Sequence, residues 1–142
     1  MENWLPVVGY EGTYEASALG RVKRVLKGKG ARSGHILKQA RGKRGGHHHV
    51  SLFVNGIGRS HYVHILVLTA FVGRCPIGQE CLHKNGNPSD NSINNIHWGT
   101  HKSNMEDCIN HGRTKSQKLG TDRKHTKLDE TKVRGVREML KA

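Results

Sequence analysis

Acidic residues are missing from almost half of this 142-residue chain, because no aspartate or glutamate lies between Glu15 and Glu80. The same stretch carries twelve lysines and arginines, ten of them between Arg21 and Arg44. The net charge of the whole chain is +13, and so large a surplus repels itself unless a polyanion neutralises it. This distribution favours a surface that contacts a phosphate backbone over an ordinary solvated basic face.

Cysteines, aromatic residues and long apolar runs are also scarce. There are only three cysteines, an odd count without any C-x-x-C pair, which excludes a four-cysteine zinc site and argues against a disulfide framework. No apolar run approaches the length of a membrane span, and the first ten residues lack the charged and apolar regions of a signal peptide. With 5% aromatic residues and 18 glycines, we expect one cytosolic, loop-rich domain with a small core and no membrane partner.

Local patterns predict an α+β fold that begins with a small antiparallel β region. "HILKQA", residues 35–40, is one short strand candidate in this region. Clean alternation on both sides of Asn55-Gly56 predicts a β-hairpin, because this dipeptide favours a two-residue turn. The next apolar residues follow helical spacing up to Gly73, which predicts a short buried helix.

The segment "HKNGNPSDNSINN", residues 83–95, holds five asparagines and almost nothing for a core. The flanking "CLHKN" and "NIHWGT" read as two short strands, after which Thr100 can cap a helix that ends near Gly112. A further helix is predicted from Asp129. These patterns divide the chain into three predicted parts: a basic β region (1–60), a ββα core (61–112) and a basic linker with a C-terminal helix (113–142).

The predicted strand, loop, strand and helix can bring three distant side chains into one cleft. His83 lies on the first strand, Asn95 at the exit of the loop and Asn104 in the first turns of the helix. Histidine is the usual general base for activating water near neutral pH, and an amide oxygen suits a hard divalent cation. A second amide can accept a hydrogen bond from the imidazole and fix its tautomer, a role we predict for Asn95. The four other loop asparagines are expected to shape the loop itself.

The segment "CLHKNGNPSDNSINNIHWGTHKSN", residues 81–104, resembles the core of HNH endonucleases of the ββα-metal, or His-Me finger, type. The resemblance includes the H-K-x-G-N opening, the x-N-N-I exit, the W-G-T turn and the final asparagine. Upstream, "YVHILVLTAFVG" resembles the lead-in of phage HNH proteins. "NWLPVVGYEGTYEASALGRVKRV" resembles the nuclease-associated modular DNA-binding motif of homing endonucleases. The resemblance covers about residues 3–112.

The resemblance implies hydrolysis of phosphodiester bonds in double-stranded DNA with one Mg²⁺ or Mn²⁺ ion in the active site. His83 would be the general base, Asn95 the residue that orients it and Asn104 a metal ligand. A nicking or homing-type enzyme would result, acting as a monomer or homodimer in the cytosol of a bacterium or a phage-infected host. Many members have Asp or His as a second ligand just before the histidine, whereas Leu82 stands here and cannot bind a cation.

Basic residues of the β region and of the ββα core are the candidates for contact with DNA. They are Arg21, Lys23, Arg24, Arg41, Lys43, Arg44, Lys84, His101 and Lys102.

Two alternatives remain open on the sequence alone. One is a basic nucleic-acid-binding module without catalysis, for which the charge distribution would suffice. The other is a structural zinc site formed by Cys81, His83, His97 and His101. The consecutive histidines at 47–49 are expected at a strand edge or facing DNA, and His64 in the core or at a helix start.

Overall fold

A computed structural model describes residues 1–113, so the helix predicted from Asp129 lies outside the described residues. The strands are β1 (Trp4–Pro6), β2 (Tyr14–Ser17), β3 (Val22–Arg24), β4 (His35–Ile36), β5 (Ala40–Arg41), β6 (His48–Val54), β7 (Ile57–Tyr62), β8 (Gln79–His83) and β9 (Ile96–Thr100). The helices are α1 (Val63–Phe71) and α2 (His101–Asn110).

The strands form three antiparallel sheets, in the orders β1-β2-β3-β4, β5-β6-β7 and β8-β9. The last two strands and α2 make a hairpin followed by a helix, as expected for a ββα core. The predicted α+β class is therefore confirmed.

Helix α1 lies at the centre of the hydrophobic core. Its residues Val63, Leu66, Val67 and Leu68 are almost fully buried. They share one cluster with apolar residues of the surrounding sheets, namely Val7, Tyr14, Ala16, Val22, Val50, Leu52 and Ile96. The core thus contains residues from before and after residue 60, and both segments belong to one compact unit that extends from Met1 to His111. The domain boundaries at 60 and 112 stay predictions.

Tyr14 connects the first sheet to the second through its buried ring and its hydroxyl. The side chain is 1% exposed, and its hydroxyl oxygen accepts hydrogen bonds from Phe53 N (3.0 Å) and Arg24 Nη1 (3.2 Å). A buried tyrosine needs a partner for its hydroxyl, and here that partner comes from the neighbouring sheet.

Turn and capping residues act as the sequence predicts. Asn55 and Gly56 both have positive φ angles, 52° and 79°, as a tight hairpin turn between β6 and β7 requires. Helix α1 ends before Gly73, which has a φ of 118° and donates its backbone N–H to Leu68 O. Thr100 Oγ1 accepts from Ser103 N (3.2 Å) at the start of α2.

The strand candidate at residues 35–40 was wrong in its extent. Only His35–Ile36 and Ala40–Arg41 are strands, and they belong to different sheets. The intervening segment crosses between the sheets, since Leu37 N donates to Val22 O and Gln39 Nε2 donates to Gly20 O. In the part of the chain that the structure describes, neither helix has the length and apolar character to span a bilayer.

The asparagine loop packs directly on the first sheet at Gly20. A β-carbon at Gly20, where φ is +83°, would lie 2.8 Å from Asn91 C and 2.9 Å from Asn91 O. Ile93 N also donates to Ala18 O at 2.9 Å. The turn after β2 therefore fixes the position of the loop backbone around Asn91.

We predict that Gly20→Ala destabilises the fold more than Gly12→Ala does. Both glycines have positive φ angles, +83° and +75°, but only Gly20 has neighbours within 4 Å of a new β-carbon. Gly12→Ala should cost about 1–2 kcal/mol for the backbone strain alone. Gly20→Ala should cost a further 1–3 kcal/mol or so, because the Asn91 backbone must move.

Thermal unfolding followed by circular dichroism measures both variants against the wild-type chain. Equal losses in the two variants would contradict the close approach of the loop to Gly20.

Candidate active site

Strand β8 presents two different faces to its surroundings. Cys81 and His83 alternate with Leu82, so their side chains leave the strand on the opposite side. Leu82 is 2% exposed, and its Cδ1 lies 2.4 Å from where a β-carbon on Gly99 would be. Gly99 is therefore required for Leu82 to pack against β9. Leu82 is a core residue of the hairpin, which explains an apolar side chain at this position.

The His83 ring is held by Asn91. His83 Nε2 lies 3.1 Å from Asn91 Oδ1, and an amide oxygen can only accept. His83 therefore carries its proton on Nε2, and Nδ1 keeps a free lone pair. This is the tautomer control that a general base needs.

Two further histidines surround His83. The ring centroids of His47 and His64 lie 5.5 Å and 5.4 Å from that of His83, and 4.9 Å from each other. Burial, reinforced by the neighbouring His47 and His83, lowers the pKa of His64 to about 3. Burial and then His83 also lower the pKa of His47. The two histidines beside His83 are thus held in the neutral form.

The side-chain hydrogen bonds of Asn95 lead into the loop and not to His83. Its Oδ1 accepts from Asn85 N (3.0 Å), and its Nδ2 donates to Asn85 Oδ1 (3.0 Å) and Asp90 O (2.8 Å). Asn95 clamps the two ends of the asparagine loop from a buried position. The partner of His83 is Asn91, a residue expected only to shape the loop.

The remaining loop contacts fit the predicted structural role of the asparagines. Asn85 Oδ1 accepts from Asn87 N (2.8 Å), and Asn87 Oδ1 accepts from Ser89 N (3.0 Å). Asn85 Nδ2 also donates to Asp90 Oδ2 at 2.8 Å. Hydrogen bonds from Ser92, above all, lower the pKa of Asp90. These short-range bonds replace a hydrophobic core within the loop.

Asn104 points to a carboxylate on the neighbouring strand. Its Nδ2 donates to Glu80 Oε1 at 2.7 Å, and His101 Nδ1 lies 3.2 Å from the same oxygen. Asn104 and Glu80 share a cavity of about 500 Å³ with His47 and His64. Oxygen donors from Asn104 and Glu80 match the preference of Mg²⁺ and Mn²⁺ for hard ligands. The residues present therefore fit a divalent cation.

The four-residue zinc site does not form. His97 is paired with Leu82 across the hairpin, which places it on the face opposite Cys81 and His83. His101 interacts with Glu80 instead. Burial raises the pKa of the Cys81 thiol to about 12, which disfavours the thiolate that zinc requires. This part of the non-catalytic alternative was wrong.

The basic residues predicted to contact DNA fall into two groups, of which the first already has partners in the protein. Arg21 pairs with Glu2, and Lys23 Nζ lies 2.9 Å from Glu15 Oε2 and 4.2 Å from the centre of the Trp4 ring. Arg24 Nε donates to Leu26 O (2.9 Å). These three side chains stabilise the first sheet.

The second group consists mainly of Arg41, the last residue of β5, and of Lys43 and Arg44 in the turn that follows it, which together form the basic turn. Arg41, Lys43 and Arg44 are exposed, and none of them forms an ion pair within residues 1–113. The turn ends at His47, which contacts the His83 ring. Lys84, whose Nζ donates to Asn94 O (3.1 Å), and Lys102 are exposed on the ββα core. The unpaired cations of the basic turn thus lie only a few residues before His47, which contacts the His83 ring.

Four residues of this site were not identified by the sequence reasoning: His47, His64, Glu80 and Asn91. Many HNH proteins have their second metal ligand at the position of Leu82. Glu80 lies two residues earlier on the same face of β8, so the alternation along the strand could have indicated it. Nothing in the local sequence pairs His47 and His64 with His83, because the three come from distant segments.

Comparison with known families assigns both parts of the fold. Residues 61–106 match the HNH endonuclease family, and residues 2–53 match the NUMOD4 motif. Residues 61–106 therefore belong to the HNH endonucleases, which generally depend on a divalent metal, and they follow an N-terminal NUMOD4 motif. The expected resemblance is confirmed.

A particular relative combines the same features. DNA endonuclease I-HmuI of Bacillus phage SP01 is 35% identical over 109 residues, which are 77% of this chain and 59% of that protein. The chain thus spans less than two thirds of the length of this relative. A solved structure of the HNH homing endonuclease I-HmuI, which describes its DNA binding and cleavage, matches this chain with a TM-score of 0.67 at 29% sequence identity. That match covers 98% of this chain and 68% of the other.

We predict that Asn91→Ala and Asn95→Ala have opposite effects on the stability of the fold and on the tautomer of His83. Asn95→Ala removes three hydrogen bonds from a buried loop and should cost about 2–4 kcal/mol of stability, with little change in the His83 tautomer. Asn91→Ala should cost only about 1 kcal/mol but should release His83 into a mixture of both tautomers.

Urea unfolding measures the stabilities, and imidazole ¹⁵N chemical shifts report the tautomer. Asn94→Ala is the matched control, because that side chain is exposed. A tautomer change in the Asn95 variant alone would overturn the assignment of Asn91.

Proposed function

We propose that the chain is a divalent-metal-dependent endonuclease that hydrolyses phosphodiester bonds in double-stranded DNA. The observation that carries this proposal is the hydrogen bond between His83 Nε2 and Asn91 Oδ1 inside an HNH core. It supports His83 as the general base, because Nδ1 is then free to take a proton from water. DNA binding and cleavage by I-HmuI belong to the same class of activity.

The proposed metal site consists of Asn104 and Glu80. The amide nitrogen of Asn104 donates to Glu80, and its oxygen accepts only a long contact from Cys108 Sγ (3.9 Å), which a cation beside the carboxylate could replace. Glu80 then supplies the charged ligand that Leu82 cannot. Mg²⁺ or Mn²⁺ held there would neutralise charge on the scissile phosphate and on the leaving oxygen.

The basic turn between β5 and β6 supports the choice of DNA as substrate. Arg41, Lys43 and Arg44 can neutralise phosphates beside the His83 cluster, whereas Arg21, Lys23 and Arg24 contribute less because they are engaged within the sheet. Lys84, His101 and Lys102 add positive charge around the ββα core, with His101 shared by Glu80. Phosphate contacts of this kind position a duplex without reading its sequence.

One site of this kind cuts one strand. A monomer therefore nicks double-stranded DNA, and a homodimer or two successive events are needed for a double-strand break. A nicking or homing-type role, in the cytosol of a bacterium or of a phage-infected host, fits the NUMOD4 motif in front of the HNH domain.

We predict that His83→Ala abolishes cleavage and keeps DNA binding. Supercoiled plasmid with Mg²⁺ or Mn²⁺ should be nicked at least about 100-fold more slowly by this variant, since a general base contributes at least that factor. Binding to the same plasmid in EDTA should stay within about twofold of wild type.

His111→Ala is the matched control, because His111 is exposed at the end of α2. Undiminished nicking by His83→Ala would refute the proposed base. Wild-type nicking that persists in EDTA would refute the metal dependence.

We also predict that neutralising the basic turn flattens the salt dependence of DNA binding. Each lost phosphate contact should reduce the slope of log K against log salt by about 0.9, so the triple change Arg41→Gln, Lys43→Gln and Arg44→Gln should reduce it by up to about 2.7. The single change Arg44→Gln should reduce it more than Arg21→Gln, because Arg21 is paired with Glu2.

Fluorescence anisotropy with a labelled duplex at several salt concentrations measures these slopes. An unchanged slope in the triple variant would place the DNA contact surface elsewhere.

A further inference from the structure

We propose that His47, His64 and His83 together bind a transition-metal cation of the zinc class, through nitrogen donors distinct from the oxygen ligands Asn104 and Glu80. One ring nitrogen of each histidine lies within 4.8 Å of the corresponding nitrogens of the other two. The three residues come from the turn before β6, the start of α1 and the end of β8. Three elements of the fold thus converge on one point.

Each of the three imidazoles has a nitrogen to offer. His64 is 7% exposed, and its buried Nδ1 has no hydrogen-bond partner among the described residues. His47 Nδ1 is likewise buried and without a partner in residues 1–113. His83 has Nδ1 available because Nε2 is bound to Asn91. A buried imidazole nitrogen is normally hydrogen-bonded, so two unpartnered ones side by side point to a ligand.

The donor set selects the type of metal. Neutral imidazole nitrogens suit Zn²⁺, Co²⁺, Ni²⁺ and Cu²⁺, whereas Mg²⁺ prefers oxygen. Three histidines leave the fourth tetrahedral position open, as in zinc sites that bind water or a substrate.

The spacing permits coordination after a small adjustment. Zinc–nitrogen bonds of about 2.0–2.1 Å place tetrahedral ligand nitrogens roughly 3.3 Å apart. The ring nitrogens of the three histidines are at most 4.8 Å apart, so each nitrogen–nitrogen distance has to shorten by about 1.5 Å at most. Rotation of the imidazoles about their side-chain bonds can supply this change. His47 lies in a turn that contains Gly45 and Gly46, both with positive φ angles, next to this cluster.

Occupation of this site has a consequence that rests on the proposed function. The lone pair on His83 Nδ1 cannot both coordinate a metal and accept a proton from water. A zinc-class cation should therefore inhibit cleavage that Mg²⁺ supports, and a chelator selective for zinc should restore it. The binding itself does not depend on whether the chain cleaves DNA.

Cobalt titration tests the site directly. The 142-residue chain, freed of metal with EDTA and dialysed, is titrated with Co²⁺ while visible absorbance is recorded. We expect the intense ligand-field bands of tetrahedral Co²⁺ with one equivalent, their loss on adding Zn²⁺, and no loss on adding excess Mg²⁺. Absence of such bands would overturn the proposal.

Variants assign the ligands. His47→Gln should weaken Co²⁺ binding at least about tenfold, and His64→Gln should do the same where circular dichroism shows a folded chain. His49→Gln and His111→Gln are matched controls, since neither residue belongs to the cluster. Wild-type affinity in His47→Gln would overturn the proposal.

Nicking assays in Mg²⁺ with added Zn²⁺ separate this proposal from the proposed function. Inhibition that His47→Gln relieves would support both. Tetrahedral cobalt bands together with uninhibited nicking would support the site and contradict His83 as the base. A chain that never nicks but shows the bands would support the site alone.

Discussion

The hydrogen bond between His83 Nε2 and Asn91 Oδ1 is the interaction on which the rest of the site depends. It fixes the tautomer of His83 and thereby decides which nitrogen can take a proton or bind a metal. Its geometry is set from outside the hairpin, because the loop around Asn91 packs against Gly20 of the first sheet. The N-terminal NUMOD4 region thus supports the HNH core as well as carrying positive charge.

Charge and burial divide the surroundings of His83 into distinct regions. The turn between β5 and β6 supplies exposed cations, Asn104 and Glu80 supply oxygen donors, and His47 and His64 supply neutral nitrogens. A phosphate, a hard cation and a softer cation would each favour a different region. The proximity of the three regions is what the proposed competition between metals requires.

The sequence predicted local structure best where a side chain acts on its own backbone. Asn55-Gly56, Gly73 and Thr100 each determine a turn or a helix end through positive φ angles or a capping bond, so the hairpin, α1 and α2 appear where expected. The strands within residues 35–40 were harder to predict, because the two short strands gain their hydrogen bonds from different sheets. The spacing of His83 and Asn104 made them candidates, but it could not distinguish Asn95 from Asn91 as the hydrogen-bond partner of His83, since both lie in one loop of similar residues.

By itself, the sequence determined the charge distribution, the α+β class, the hairpin and capped helices, and the kinship with HNH endonucleases, because composition, periodicity and motif spacing are properties of neighbouring residues. Only the tertiary structure decided that Asn91 holds His83 while Asn95 clamps the loop, that Glu80 faces Asn104, and that three distant histidines meet. Those contacts depend on how α1 and the three sheets pack around one core, and long-range packing brings together residues that no local pattern connects.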